Sequence, residues 1–211
     1  MKGSITLDEN EGKNFHKGMR EIMLFTTVWA GRILAKTLDI FSFPELMDLL
    51  WQTMKPNTRR LTRIEEQEAR KVFGDSINYR KVRIDENSLI AWLGGAKRHK
   101  CSGMGGITSF RTINFNKRIK PAPGNSHMKW LIHELAHVSQ MEHIGSRYMI
   151  EASYARATEG YGYILGANPH FCNYNREQQA SIVADYYIAL VSGRPTEAYD
   201  PYIIELLAGD L

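Results

Sequence analysis

Apolar residues in the first quarter of the chain recur at the spacing of a helix. Ile22, Phe25 and Trp29 lie three or four residues apart, and the pattern resumes after an interruption at Pro44. We therefore expect residues 18–54 to form two helices that pack their apolar face on the rest of the chain; a docking or membrane-surface segment is the alternative. The first residues, about fifteen in number, are polar and are expected to be frayed.

The segment Lys55–Asn57 marks the end of this N-terminal part. It divides the chain into a polar tail with a helical segment, residues 1–54, and a domain of residues 55–211. Early in the domain, Thr62 is a candidate N-cap for a helix that runs to Phe73 and stops at the following glycine.

The rest of the domain combines short strand patterns with two later helices. The strand patterns cover residues 77–84, 89–92 and 107–115. Ser126 is a candidate N-cap for the first later helix, and the second opens at Asn175. Strands that cluster before two helices favour the α+β class over a doubly wound fold.

The composition is that of a globular protein, because 43% of the residues are hydrophobic and 24% are charged; this excludes a disordered chain. The most apolar run, Ile22–Gly31, is shorter than the ~20 residues that a membrane-spanning helix needs. Acidic and other polar residues precede the run, so it does not fit a secretory signal either. We expect a protein that is made in the cytoplasm and has no transmembrane segment.

The net charge of +4 is distributed unevenly along the chain. Residues 55–120 carry sixteen basic and six acidic side chains, whereas residues 121–211 carry five basic and ten acidic ones. A basic region is either a solvated surface or a binding surface for nucleic acid, lipid head groups or a cell-wall polymer. We favour the solvated surface. Nucleic acid is not an expected partner, because no aromatic residue interleaves with the tightest cluster, Lys97–Lys100.

Two cysteines are too few for a disulfide framework. Cys101 and Cys172 follow His99 and His170 by two residues, so a four-ligand structural zinc site is one interpretation. The close pair of cysteines that is usual in such sites is missing. A single disulfide is the stronger alternative if the protein works in an oxidising compartment.

The motif that carries chemistry is the HELAH sequence of His133–His137. Two histidines four residues apart lie one above the other on a helix, so both can bind one ion at about 2.0–2.1 Å. Glu134 can accept a proton from a water on that ion. Uncharged and mostly apolar flanks suit a helix buried in the protein. The pattern predicts a zinc site with His133 and His137 as ligands and Glu134 as general base.

Three residues compete for the third ligand. His143 nearly completes the long metzincin motif, but Gln140 stands at its glycine, so the helix can continue and carry His143 away. Glu177 opens the later helix and is followed three positions on by a small residue, which is similar to the gluzincin arrangement. Asp185 lies about two turns further along and is the rival carboxylate. We favour Glu177 and keep His143 and Asp185 as alternatives.

Residues 61–190 resemble the zinc metallopeptidase domains attached to type VI secretion spike (Vgr-related) proteins and polymorphic toxins. The stretches that carry the resemblance are Leu61–Thr62, Glu66–Ile77, Val82–Ile84, His133–Val138 with Gln140, Tyr161–Tyr163, Tyr174–Asn175, Glu177–Ala180 and Ile182–Tyr186. The resemblance implies a zincin-like fold, one Zn²⁺ ion and, for some relatives, delivery as antibacterial effectors. This chain departs from it at Ser181, where an acid is expected, and the first sixty residues lie outside it.

The sequence as a whole predicts a zinc-dependent metallopeptidase that hydrolyses peptides, proteins or the amide bonds of cell-wall peptides. Tyr161 and Tyr163 lie between the two ligand-bearing helices, and either phenol can donate to a developing oxyanion. His170 has a similar but weaker claim. The strand at 107–115 precedes the motif, where zincins place the edge strand that binds an extended substrate.

A secretion-spike protein or an immunity protein is the partner that the resemblance implies, with delivery to a target cell without a signal peptide. The alternative function is a non-catalytic zincin scaffold that docks on an anionic polymer or a secretion partner. Residues 18–54 or the basic region 55–120 would then make the contact.

Overall fold

Eight α-helices and three short strands form the part of the chain that the structure describes, residues 5–55, 57–95 and 105–211 of a computed structural model. The helices are α1 (Ile5–Ile40), α2 (Phe43–Met54), α3 (Arg63–Phe73), α4 (Leu89–Gly95), α5 (Ser126–Ile144), α6 (Arg147–Ala157), α7 (Arg176–Val191) and α8 (Asp200–Ala208). The strands are β1 (Arg83–Glu86), β2 (Gly106–Ser109) and β3 (Thr112–Phe115), and Phe171–Asn173 form a 3₁₀ turn. The predicted α+β class is confirmed, and the chain is mostly helical.

The N-terminal helical hairpin is confirmed, with two differences from the predicted bounds. α1 begins at Ile5, so the expectation of a frayed segment of about fifteen residues is wrong. The break lies at Phe41 and Ser42, and Ser42 is left-handed with φ of 52°. Pro44 falls in the first turn of α2, where its missing N–H has no helical partner to lose.

α1 packs on α6 through a few specific contacts. The Ser146 N–H donates to both carboxylate oxygens of Asp39 at 3.1 Å, and Gly31 lies against Ile150. Gly145 has φ of 71°, and a Cβ there would clash with the Asp39 carboxylate, so glycine is required at this junction. None of the described helices is long and apolar enough to cross a bilayer.

The hairpin of α1 and α2 leaves many large apolar side chains exposed. They include Met19, Ile22, Met23, Phe25, Trp29, Ile33, Leu34, Leu46, Leu49 and Leu50. The predicted packing of the apolar face is therefore only partly correct, because much of that face is open to solvent. Contiguous exposed apolar surface of this kind is typical of a site of interaction.

The three strands form one sheet in the order β1-β3-β2, so β2 is an edge strand. β3 pairs in parallel with β1 and antiparallel with β2. The single strand predicted at 107–115 is therefore wrong, since this segment is a hairpin with a two-residue turn at Phe110–Arg111. Phe110 has φ of 54°, a conformation that the alternation of apolar residues does not reveal.

Two other strand predictions are also wrong. Of residues 77–84, only Arg83 and Ile84 join β1, and residues 77–82 form turns whose apolar side chains are buried. Residues 89–92 belong to α4, where the Trp92 N–H donates to the Ser88 carbonyl one turn back. A short apolar run suits a strand, a helix or a buried turn, so tertiary packing decides among them.

Capping residues set the start of the helices around the core. α3 begins after Thr62 as predicted, with a complete capping box. α5 is capped by Asn125, whose side chain accepts a backbone N–H at 2.7 Å, and not by the predicted Ser126. α7 begins after Asn175 as predicted, and the Asn175 side chain accepts the N–H of Glu177 at 3.0 Å.

The hydrophobic core lies between α5 and α7 and extends across the sheet to α3. Residues Leu131–Met141 of α5 are all buried, so this helix is enclosed on every side. The largest fully buried side chains are Tyr148, Tyr187, Phe73, Phe115, Phe171, Ile84, Ile113, Met128, Leu131, Ile132, Leu135 and Ile182. The polar residues within Leu131–Met141 are buried along with the apolar ones, and each of them needs a partner.

Candidate metal centre

α5 carries His133, Glu134 and His137 into the core on one uninterrupted helix. Their residue exposures are 5%, 1% and 1%. Because residues four apart share a helix face, the two imidazoles are neighbours, with ring centroids 5.1 Å apart in an edge-to-face arrangement. Trp130 stacks on the His133 ring at 5.4 Å and restricts its rotation.

α7 brings Glu177 to the same place. The Asn175 cap anchors the first turn of the helix, and Glu177 is fully buried. Glu177 Oε2 lies 3.3 Å from His133 Nε2 and 3.5 Å from His137 Nε2. Within the described part of the chain, these three residues form the one group of histidine, cysteine and acidic side chains placed to hold a metal ion.

The separations between these atoms suit a metal ion. Four ligands at about 2.0–2.1 Å from a central zinc ion form a tetrahedron with edges of roughly 3.4 Å, which is close to the two observed separations. A direct hydrogen bond between nitrogen and oxygen is usually shorter, about 2.9–3.0 Å. His137 Nε2 is also buried without a hydrogen bond to any described residue. Two imidazoles and a carboxylate are therefore arranged so that they could hold a metal ion.

Gln140 fixes the orientation of the His137 ring. Its Nε2 donates to the Arg176 carbonyl at 3.0 Å and to Gln179 Oε1 at 2.9 Å. Its Oε1, 2.8 Å from His137 Nδ1, must therefore accept. In the neutral form of the ring, His137 Nδ1 therefore carries the proton and Nε2 keeps its lone pair on the side of Glu177. An outer hydrogen bond of this kind holds an imidazole in the tautomer that binds metal.

Arg156, in the last turn of α6, contacts the other oxygen of Glu177. Its Nη2 and Nε donate to Glu177 Oε1 at 2.7 and 3.2 Å. Burial alone would lower the pKa of Arg156, but the charge of Glu177 raises it above its ordinary value. The guanidinium is therefore charged and compensates a carboxylate that has been removed from water.

The carboxyl group of Glu177 is ionised in this environment. Burial favours the neutral acid, but the positive charge of a protonated His137 outweighs it and holds the pKa of Glu177 well below its ordinary value. Burial likewise favours neutral His137, and the charge of Glu177 opposes this and raises the pKa of His137. The cluster thus presents an anionic oxygen between two imidazoles.

Glu134 is held against the edge strand β2. Its Oε2 accepts the Thr108 hydroxyl at 2.8 Å. A Cβ on Gly106 would clash with Glu134 Oε1 and lie 2.7 Å from Trp130 Nε1, so a glycine is needed beside this carboxylate. The Tyr148 phenol donates to the Thr108 carbonyl at 2.8 Å and ties β2 to α6. The candidate base is therefore fixed by the strand as well as by its own helix.

Tyr161 and Tyr163 line a cleft of about 640 Å³ beside His133. The Tyr161 and His133 rings lie 5.8 Å apart. Burial, together with the charge of Glu177, raises the pKa of Tyr161 to about 12, so its phenol keeps the proton at neutral pH. The Tyr163 hydroxyl donates to Asp185 Oδ2 at 2.6 Å. Tyr161 is the better placed of the two to donate to a substrate, because the proton of Tyr163 is already engaged.

The other candidates for the third ligand lie apart from the cluster. α5 continues past Gln140, and His143 is exposed with its Nδ1 2.8 Å from the carbonyl one turn back. Asp185 forms an ion pair with Lys129 at 2.5 Å. Ser181, where the resemblance leads one to expect an acid, donates to its own helix, to the carbonyl four residues back, at 2.9 Å. Gln140, and not residue 181, orients a histidine, because its side chain bonds to His137.

The remaining sequence candidates lie on the surface or outside the described residues. His170 is exposed and lies 3.0 Å from Glu205 Oε1, and Cys172 is exposed. His99, Cys101 and the cluster Lys97–Lys100 lie outside the described residues. Several basic residues of this region form ion pairs within the chain, namely Arg59 with Glu65, Arg70 with Glu66, Lys71 with Glu68 and Arg111 with Glu142. This pairing supports its interpretation as a solvated surface.

Sequence reasoning missed Gln140 and Arg156 as parts of the site. The spacing of Gln140, three residues after His137 on one helix, was a usable signal because such residues are neighbours on a helix. Arg156 had none. It lies 21 residues before Glu177 on a helix that no pattern predicted, and tertiary packing alone brings the two together.

Comparison with known proteins finds one kind of relative, and no family model matches the chain. The type VI secretion system spike protein VgrG2b of Pseudomonas aeruginosa is 30% identical over 140 residues. The match takes in 62% of this chain and 13% of the spike protein, so the chain corresponds to a small part of that relative. Among solved structures, the effector domain of Pseudomonas aeruginosa VgrG2b has a TM-score of 0.47 and 25% identity, over 67% of this chain and 80% of that one. The chain is homologous to part of a type VI secretion spike protein, as its sequence predicted; homology alone assigns it neither a metal nor a reaction.

Proposed function

We propose that this chain is a zinc-dependent metallopeptidase with a zincin-like fold that acts as an effector of a type VI secretion system. The observation that carries the proposal is the buried cluster of His133, His137 and Glu177, with Glu134 next to it on the same helix. Neither a structural ion pair nor an ordinary core needs two imidazoles and a carboxylate at these separations. His133, His137 and Glu177 would hold the ion.

Zinc bound there would supply a Lewis acid that lowers the pKa of water and polarises a carbonyl. Glu134 acts as the general base, accepting a proton from the attacking water and passing it to the leaving amine. The Thr108 hydroxyl, which donates to Glu134 Oε2, keeps one oxygen fixed during this transfer. Tyr161 keeps its proton and donates to the oxyanion that develops on the substrate carbonyl.

The edge strand β2 is the proposed binding site for an extended substrate. Gly105 C=O accepts the Asn116 N–H at 3.0 Å. Because hydrogen-bonded and non-hydrogen-bonded pairs alternate in an antiparallel ladder, the backbone groups of Gly106 point away from β3. They lie beside Glu134, so a peptide added to this edge passes the candidate base. The substrate class is accordingly a peptide, a protein or a cell-wall peptide.

The effector role draws on homology to a spike protein, for which a spike or an immunity protein is the matching partner. A second candidate function is a non-catalytic docking module. The exposed apolar side chains of α1 and α2 favour a partner surface there, for example Phe25 at 70% and Trp29 at 59% exposure. The two functions can be tested separately, because the described contacts of the hairpin with α6 and its N-terminus reach Ser146, Ile150 and Glu151, none of which is a proposed ligand.

The test is hydrolysis by the zinc-loaded chain of an unfolded protein, casein, and of cell-wall muropeptides, with products identified by mass spectrometry. The matched control is Glu134→Gln, which keeps all three proposed ligands. We expect wild-type cleavage of one substrate class and a rate lower by about 10²–10⁴-fold in the variant. Equal rates in the two proteins, or no cleavage of either substrate, would contradict a peptidase and leave the docking module.

A further inference from the structure

The two oxygens of Glu177 have different surroundings. Oε2 faces the Nε2 atoms of His133 and His137 at 3.3 and 3.5 Å. Oε1 accepts two hydrogen bonds from Arg156, at 2.7 and 3.2 Å. A carboxylate that lacked the second contact could turn and present both oxygens to a metal ion.

We infer that Arg156 is a positioning residue that makes Glu177 a one-oxygen ligand and keeps the ion at low coordination number. The inference rests on the proposed metal site. Because the Arg156 guanidinium holds Oε1 with two hydrogen bonds, only Oε2 is available on the side of the histidines. A position on the ion that a second carboxylate oxygen would otherwise take is then left for water or substrate.

The electrostatics of the site support this role. Glu134 and Glu177 are both buried, and the charges of both act on Arg156. Arg156 compensates one of these two negative charges. The charge of Arg156 also lowers the pKa of Tyr161, against the effect of burial. Arg156 therefore acts on both a proposed ligand and the proposed oxyanion donor.

A purely structural bridge between α6 and α7 does not account for Arg156. The same two helices are already joined by Arg176 and Glu151, whose side chains lie 2.7 Å apart and are both buried. Neither of these two side chains forms an ion pair or a hydrogen bond with His133, His137 or Glu177. Arg156 differs from it in being directed at a proposed ligand, and this difference is what the experiment must detect.

The test uses Co²⁺ as the probe, bound to the full chain in place of zinc, with the visible d–d absorption per cobalt as the readout. The variants are Arg156→Gln, Arg156→Lys and, as the matched control on the same helix, Arg147→Gln. Arg147 pairs with Glu151 and lies outside the cluster. Circular dichroism verifies the folding of each variant. Arg156→Lys keeps the charge and is the variant to use if Arg156→Gln does not fold.

We expect the absorption to weaken in Arg156→Gln, because a two-oxygen carboxylate raises the coordination number of cobalt. Zinc affinity, from competition with a chelator, should fall by about 10–100-fold. Arg156→Lys should restore the signal in part, and Arg147→Gln should give the wild-type spectrum. A wild-type spectrum in folded Arg156 variants overturns the inference while leaving the metal site intact. Failure of the wild-type chain to bind cobalt or zinc overturns the proposed function and this inference with it.

Discussion

The α5–α7 pair and the α1–α2 hairpin depart from the usual distribution of polarity in opposite directions. α5 buries His133, Glu134 and His137 in the core, whereas α1 exposes Phe25 and Trp29 at 70% and 59%. A buried polar group destabilises a fold unless it is paired, and an exposed apolar surface promotes association. The two departures coincide with the proposed metal site in one region and the proposed docking surface in the other.

The two regions also differ in how their side chains are held. Around the cluster, Gln140 and Arg156 each make several hydrogen bonds that fix a neighbouring ligand. Among the described residues, Asp39 and Arg32 make polar contacts that attach the hairpin to α6 and its N-terminus. Glu151 joins the regions, because its carboxylate accepts from Arg32 of α1 and from Arg176 of α7. Changes at the site should therefore alter chemistry, and changes at the hairpin should not.

Substitution of Glu151, which pairs with arginines of both regions, should have the largest effect on stability. Glu151→Gln removes the charge that compensates buried Arg176, and we expect a loss of about 3 kcal/mol in the free energy of unfolding at neutral pH. Burial alone would raise the pKa of Glu151, but Arg176, Arg147 and Arg32 lower it below the ordinary 4.5.

The sign of the pH dependence of Glu151 follows from that shift. A depressed pKa in the folded state stabilises the protein fully above about pH 4.5, and this stabilisation is lost as pH falls through the folded value. The difference between wild type and Glu151→Gln in chemical denaturation should therefore shrink as the pH falls below 4.5. The exposed pair of Arg70 with Glu66 provides the control, since Glu66→Gln should change stability little at either pH.

Gly106→Ala should damage catalysis without removing the metal. The new methyl group must displace the Glu134 carboxylate or the Trp130 ring, and a misplaced catalytic group loses about 10²-fold in rate. The measurements are the rate of peptide hydrolysis and the zinc content. Gly18→Ala, in α1, has open space around its Cβ and should behave as wild type. A wild-type rate of hydrolysis in Gly106→Ala would mean that catalysis does not depend on the observed position of the Glu134 carboxylate.

Gln140→Leu should weaken zinc binding by about 10–100-fold through loss of the hydrogen bond to His137. Leucine keeps most of the volume, so a large part of the core packing is retained. Competition with a chelator measures the affinity. Unchanged affinity would show that the His137 tautomer is set by other contacts.

The smallest effects should come from the hairpin surface. Phe25→Ser and Trp29→Ser replace side chains that are mostly exposed, so the free energy of unfolding should change by no more than about 0.5 kcal/mol. Hydrolysis should stay at the wild-type rate. A large loss of activity would show that the hairpin and the metal cluster are coupled, against the separation argued above.

Local signals explain which parts of the fold could be predicted. α3 follows from Thr62 at its start and Gly74 at its end, and the pairing of His133 with His137 follows from helical spacing. The hairpin at Phe110 could not be predicted, because a positive φ at a phenylalanine has no pattern in the sequence. The sequence patterns did not predict α6 and α8 either. The contacts that α6 makes through its side chains were therefore not predicted.

In the candidate site too, local sequence signals predicted some residues, whereas contacts between distant elements could not be predicted. Glu177 was favoured because it opens a helix with a small residue three positions on, and its Oε2 does lie beside both histidines. The contact of Arg156 with Glu177 and that of Thr108 with Glu134 join elements distant in sequence. Such contacts depend on how α6, α7 and β2 pack, and no local rule provides that.

The most direct measurement is the zinc content, by elemental mass spectrometry, of three purified proteins: wild type, Glu134→Gln and Glu177→Gln. The two variants make the same chemical change at two buried carboxylates of one site. The account predicts about one zinc per chain in wild type and in Glu134→Gln, and its loss in Glu177→Gln, because only Glu177 is a ligand. Zinc retained in Glu177→Gln, or absent from the wild type after reconstitution, would contradict it.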